Sequence, residues 1–153
     1  MDLGITGRIA LISGADSGMG KETARLLLEA GVRVAVTDKP GGTLDDAVRE
    51  LSPLGEIVAV TGDVTKPEDV AALWAEVRGR LGEPDIYVNS AGVTGATVDF
   101  LEIDDKGWHE TIDIDLPPGR TLAITLGAAA GVFGKRHCTA IIGVPVREVV
   151  STR

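Results

Sequence analysis

The run Ser13-Gly-Ala-Asp-Ser-Gly-Met-Gly20 follows an apolar stretch, Arg8 to Ser13, and leads into residues with helical spacing. Three glycines packed into one short loop, between a strand and a helix, admit few chain paths. Gly14, Gly18 and Gly20 let the backbone turn sharply and lie against a ligand with no Cβ in the way. The helix that follows offers free N–H groups and a partial positive charge, which suits a pyrophosphate. Ser13, Asp16, Ser17 and Met19 complete the loop as candidate contacts. A tight turn with no ligand is the plainer alternative, and a glycine triplet alone does not exclude it.

The remaining chain alternates between strand and helix patterns. The near-continuous apolarity of Ile9 to Ile12 suits a strand buried on both faces, as in a parallel sheet. Ala24, Leu27 and Leu28 recur at helical spacing between Gly18 and Ala30, and Gly31 stops that helix. Val32 to Thr37 reads as a second strand ended by Pro40-Gly-Gly42, Thr43 to Leu51 as a weaker helix, and Ile57 to Thr61 as a third strand. Thr65-Lys-Pro-Glu68 matches a capping box with proline where its missing N–H costs little. The helix behind it runs to about Leu81 and buries Val70, Leu73, Trp74 and Val77.

Asp85 to Asn89 is the fourth strand, and Ser90-Ala-Gly92 opens a loop. A helix begins near Asp104 and passes Trp108. Beyond Pro117-Pro118 come an Ala/Leu-rich helix and a fifth strand, Thr139 to Val144. Repeated βαβ units predict an α/β fold: a doubly wound parallel sheet of order 3-2-1-4-5 between two helix layers, incomplete at its C-terminal side. The 153 residues fit one domain, with 117–153 as an atypical C-terminal segment.

Composition narrows the function classes. Fifteen basic against twenty-three acidic residues give a net charge of −8, a poor match for nucleic acid. One cysteine, Cys138, cannot close an internal disulfide. The longest uncharged apolar-rich run, Thr121 to Gly134, is shorter than the roughly 20 residues that span a bilayer. A cytoplasmic protein without membrane or nucleic-acid partners is expected. No metal site is expected either: His109 and His137 are isolated, and Cys138 beside His137 supplies too few ligands. The charge is uneven. Residues 1–116 hold ten basic and twenty-two acidic side chains, whereas 117–153 hold five and one.

Asp38 closes the second strand some twenty residues after the glycine loop. In a dinucleotide site such a carboxylate accepts hydrogen bonds from the adenosine ribose and repels a 2′-phosphate. NAD is therefore expected over NADP, and Asp16 points the same way. A solvated turn aspartate beside Lys39 is the alternative.

The loop's Gly-x-x-x-Gly-x-Gly spacing resembles that of the short-chain dehydrogenase/reductase family, with Ser13 standing for the family's threonine. The resemblance continues in Asp63-Val64, in Asn89-Ser-Ala-Gly92, and in Trp108 to Leu116. It covers residues 5–116. It implies that Asp63 bonds the adenine amino group and Val64 packs or bonds beside it. It also implies that Asn89 braces the central strands while Ala91 and Gly92 line the adenosine and ribose side.

The resemblance implies hydride transfer between NAD(H) and an alcohol or carbonyl substrate. The family's chemistry uses a tyrosine, a lysine four residues later, a serine and an asparagine. The single tyrosine here, Tyr87, lies in the fourth strand with Ala91 four residues on. The asparagine's position falls on Asp115. No serine lies just after the fifth strand, in Ile142-Gly-Val-Pro145, and Ser151 is too late to align. Motif loss and charge reversal coincide at Pro117, which favours a truncated or frame-shifted copy over a genuine short form. A nucleotide-binding or regulatory remnant without turnover stays open; the glycine spacing and Asp63-Val64 argue against another ligand of the fold, such as a methyl donor. Family-type pairing into homo-oligomers is expected to be weakened by Pro117-Pro118.

Overall fold

The computed structural model describes residues 3–93, 102–115 and 138–141 of the chain. Its elements, in order, are β1 (Ile9–Ser13), α1 (Gly18–Glu29), β2 (Arg33–Thr37), α2 (Leu44–Leu51), β3 (Ile57–Ala59), α3 (Pro67–Arg80), β4 (Ile86–Asn89), α4 (Asp105–Asp115) and β5 (Cys138–Ile141). A 3-10 turn, Ser52–Leu54, follows α2. The strands form one parallel sheet in the order β3-β2-β1-β4-β5, as the alternation of patterns predicts. The Ala/Leu-rich helix expected after Pro118, His137, residues 142–144 of the expected fifth strand, and Ser151 lie outside the described residues.

Strand alternation sorts the side chains onto two faces. Ile9, Leu11, Ala35 and Tyr87 pack with Val70, Leu73, Trp74 and Val77, the four residues that form the buried stripe of α3. Ala10, Ile12, Val34, Val36 and Val88 pack on the other face with Ala24 and Leu28 of α1 and Leu44 and Leu51 of α2. Leu11 and Ile12 are fully buried, and burying each such side chain contributes about 1.5–3 kcal/mol. All five residues of β1 are buried, as its unbroken apolar pattern requires of a central strand.

One local expectation is corrected. Pro67 does open α3, but the N-cap residue is Lys66, with no side-chain cap. Thr65 instead donates both its N–H and its hydroxyl to Asp63 Oδ1, at 3.0 and 2.6 Å. The aspartate two residues back is a nearer and charged acceptor, so a turn about Asp63 replaces the capping box.

Candidate functional site

The C-terminal ends of β1, β2 and β4 meet where the glycine loop crosses the Ser90–Gly92 loop. Ser90 donates its N–H to the Ser13 carbonyl (2.9 Å), and Gly14 donates to the Thr37 carbonyl (2.9 Å). Gly14 sits at φ +68°, and a Cβ there would collide with the backbone of Ser90 and Ala91. A Cβ on Gly20 would collide with the Gly14 carbonyl. Both glycines are thus fixed by close backbone approach. Gly18, at φ +53°, faces open space, so its constraint lies in the backbone alone.

Ser17 is the N-cap residue of α1 but donates its hydroxyl to Asp16 Oδ1 (2.8 Å) rather than to the helix. No acidic residue occupies the first turn. The leading N–H groups of α1 are left without a side-chain cap, the arrangement in which a helix start accepts an anion.

Asp38, half-buried, follows β2. Its Oδ1 accepts the Lys39 N–H at 2.8 Å, and its Oδ2 faces the Asp16 N–H at 3.4 Å. Burial raises its carboxyl above the ordinary value. The Lys39 N–H works against that rise, and the Asp16 charge adds to it. Asp63 shows the reverse: the hydroxyl and N–H of Thr65 hold its carboxyl below the ordinary value, and Lys66, 3.8 Å away, adds to this. The N–H of Asp63 donates to Asp69 Oδ2 (2.9 Å), which ties the turn to the first turn of α3.

These groups line one cavity of about 900 Å³. Of the residues singled out from sequence, Gly14, Asp16, Ser17, Gly18, Met19, Asp38, Asp63, Val64, Ala91 and Gly92 border it. Ser13, Gly20 and Asn89 do not; they are buried beneath it. Ser13 Oγ donates to Asn89 Oδ1 at 2.6 Å and lies 3.0 Å from the Tyr87 hydroxyl. Tyr87 is fully buried, and burial pushes its phenol well above the ordinary value. Asp115 ends the backbone of α4, and its side chain lies outside the described residues.

Sequence reasoning did not single out Lys39, Thr65, Asp113 and Ile114, which also border the cavity. Thr65 had a signal, since Asp-x-Thr favours a turn in which the hydroxyl returns to the carboxylate. Asp113 and Ile114 had none, because only the tertiary position of α4 brings them there. His109 is exposed, with Nδ1 2.6 Å from the Asp105 carbonyl, and among the described residues no group of three or more His, Cys, Asp or Glu could hold a metal. No helix among them is long and apolar enough to cross a membrane.

A family model described as short chain dehydrogenase matches residues 8–141, past Pro117 and through β5. Cis-4-hydroxycyclohexanecarboxylate dehydrogenase of Sinomonas cyclohexanicum is 38% identical over 134 residues, 87% of this chain and 50% of that protein. Cyclohexanol dehydrogenase of an Acinetobacter species is 34% identical over 110 residues, 71% of this chain and 44% of that protein. L-sorbose reductase from Gluconobacter frateurii, solved with NADPH and L-sorbose, superposes with a TM-score of 0.76 at 32% identity. That likeness covers 84% of this chain and 49% of the other. The chain spans about half the length of the curated relatives it matches. The match over residues 8–141, most of the chain, leads to one conclusion: the chain belongs to the short chain dehydrogenase family.

Proposed function

We propose that this chain carries the NAD(H)-binding part of an oxidoreductase acting on an alcohol or carbonyl compound. The observation that carries the reading is Asp38, half-buried at the end of β2 on the same cavity as the glycine loop. The residues present fit a dinucleotide. Gly18 opens α1 facing open space, and α1 begins without a side-chain cap. The loop and the α1 N-terminus hold the pyrophosphate. Asp38 accepts the hydroxyls of the adenosine ribose, with Asp16 adding negative charge against a 2′-phosphate. Asp63 and Val64 meet the adenine, while Ala91 and Gly92 flank the adenosine and ribose. Asn89, beneath them, braces β4 against β1 through Ser13.

The bound nicotinamide supplies hydride-transfer chemistry. The chain's own tyrosine does not supply the matching proton. Tyr87 is enclosed by the core, bonded to Ser13, and off the cavity wall. These 153 residues therefore bind the cofactor without fast turnover of their own. Titration calorimetry with NAD and NADP tests the reading: NAD should bind more tightly. Tighter NADP binding, as the NADPH bound to the sorbose reductase would suggest by analogy, overturns the choice of cofactor. Absence of binding to either overturns the reading as a whole.

A further inference from the structure

We infer that Tyr87 is a positioning residue for the glycine loop: its phenol holds the Ser13 hydroxyl on Asn89 and thereby fixes Gly14 against Ala91. The consequence for affinity rests on the cofactor reading above; the positioning itself does not.

Ser13 has one hydroxyl proton, and it goes to Asn89 Oδ1 at 2.6 Å. At 3.0 Å the Tyr87 hydroxyl must then be the donor and Ser13 Oγ the acceptor. The result is a directed chain from Tyr87 through Ser13 to Asn89, with all three side chains buried. Tyr87 pairs with Leu11 in the β1–β4 ladder, one pleat repeat before the Ser13–Asn89 pair, so its ring lies on the same face. A phenylalanine would fill that core equally well. The hydroxyl adds a polar group to a dry place, which costs free energy unless it is bonded.

Ser13 explains its use. Serine has no β-branch, so sterics restrict its χ1 less than they restrict that of threonine. The Tyr87 donor selects the rotamer instead. Ser13 is also the residue through which loop position is transmitted. Its carbonyl accepts the Ser90 N–H, and the next residue, Gly14, has no clearance from Ser90 and Ala91. Losing the Ser13–Asn89 bond would loosen β1 from β4 at the pair directly beneath the loop crossing.

The test compares Tyr87→Phe, Ser13→Thr and the double variant by amide hydrogen exchange and by NADH titration. In Tyr87→Phe, exchange at Gly14 to Ser17 should rise about three- to tenfold, the range expected for one lost hydrogen bond, with α3 unchanged. NADH affinity should weaken by a similar factor. Ser13→Thr in the same chain should restore both, because the threonine methyl fixes χ1 and occupies the space the phenol oxygen leaves. With Tyr87 intact, Ser13→Thr should crowd the phenol and restore nothing. Unchanged loop exchange in Tyr87→Phe overturns the inference. So does a rise spread evenly over the chain that the second substitution fails to rescue. If the parent chain binds no NADH, the cofactor reading falls while the exchange comparison still decides the role of Tyr87.

Discussion

The N–H of Asp16 lies 3.4 Å from Oδ2 of Asp38, so the glycine loop and the end of β2 meet at one carboxylate. Any group bound at Asp38 therefore also touches the path of the loop. Replacing Asp38 by alanine should weaken NAD about tenfold or more, since hydrogen bonds to a charged partner contribute about 1.5–3 kcal/mol. NADP should lose less, or gain, because the repelling charge is gone. Calorimetry with both cofactors measures the change in ratio.

The same residue predicts a pH dependence of stability. Its folded-state pKa lies above the ordinary carboxylate value, because burial and Asp16 disfavour the charge. The folded chain thus holds this proton more tightly than the unfolded one. The stabilisation is complete below the ordinary value and is lost as pH rises through the raised one. Asp38→Asn should remove that loss. Urea melts should show the variant more stable than the parent near neutral pH, by about 1 kcal/mol or less for a half-exposed group, with the gain vanishing in acid.

Asp63 predicts the opposite sign. Its folded pKa lies below the ordinary value through the two bonds from Thr65. Its stabilisation is present above the ordinary carboxylate value and is lost as pH falls through the lowered one. Asp63→Ala should cost about 0.5–1.5 kcal/mol at neutral pH, as for a typical hydrogen bond, and little in strong acid. Urea melts at both pH values check it.

Two glycines of one loop should respond differently to alanine. Gly14→Ala puts a Cβ into the backbone of Ser90 and Ala91, so cofactor binding should be abolished and the melting temperature should fall. Gly18→Ala meets no protein atom and bears only the left-handed backbone, costing about 1–2 kcal/mol. Thermal melts and NAD titration of both variants separate the two effects. A larger side chain, as in Gly18→Val, should also occupy the space of the pyrophosphate and lower NAD affinity.

Turnover supplies a further check. General acid–base assistance contributes typically 10²- to 10⁴-fold, and the phenol of Tyr87 is out of reach of the cavity. NADH formation from a panel of secondary alcohols at saturating cofactor should stay near background, and Tyr87→Phe should leave it there. Robust turnover lost in Tyr87→Phe would reverse this assignment.

The sheet order was legible because its signals are local and strong. The apolar run of β1, the stripe of α3 and the glycine punctuation each act within one element. That the glycine loop, Asp38 and Asp63 share one cavity was legible because each follows the C-terminal end of a strand in one parallel sheet. What escaped was tertiary in one case and local in the other. Nothing in the residues around Asp113 tells that α4 brings it to the cavity; at Thr65 two local patterns overlap, and the Asp63 turn prevails over the capping box.

Strand order also has a consequence for synthesis. β1 sits between β2 and β4, yet residues 86–89 are synthesised only after β2 and β3 are complete. Until then one whole edge of Ile-Ala-Leu-Ile-Ser, a strand buried along its full length in the finished sheet, carries unsatisfied N–H and C=O groups beside apolar side chains. The nascent chain is therefore most prone to aggregate in the interval between completing β3 and completing β4, when its stickiest strand waits for a neighbour not yet made.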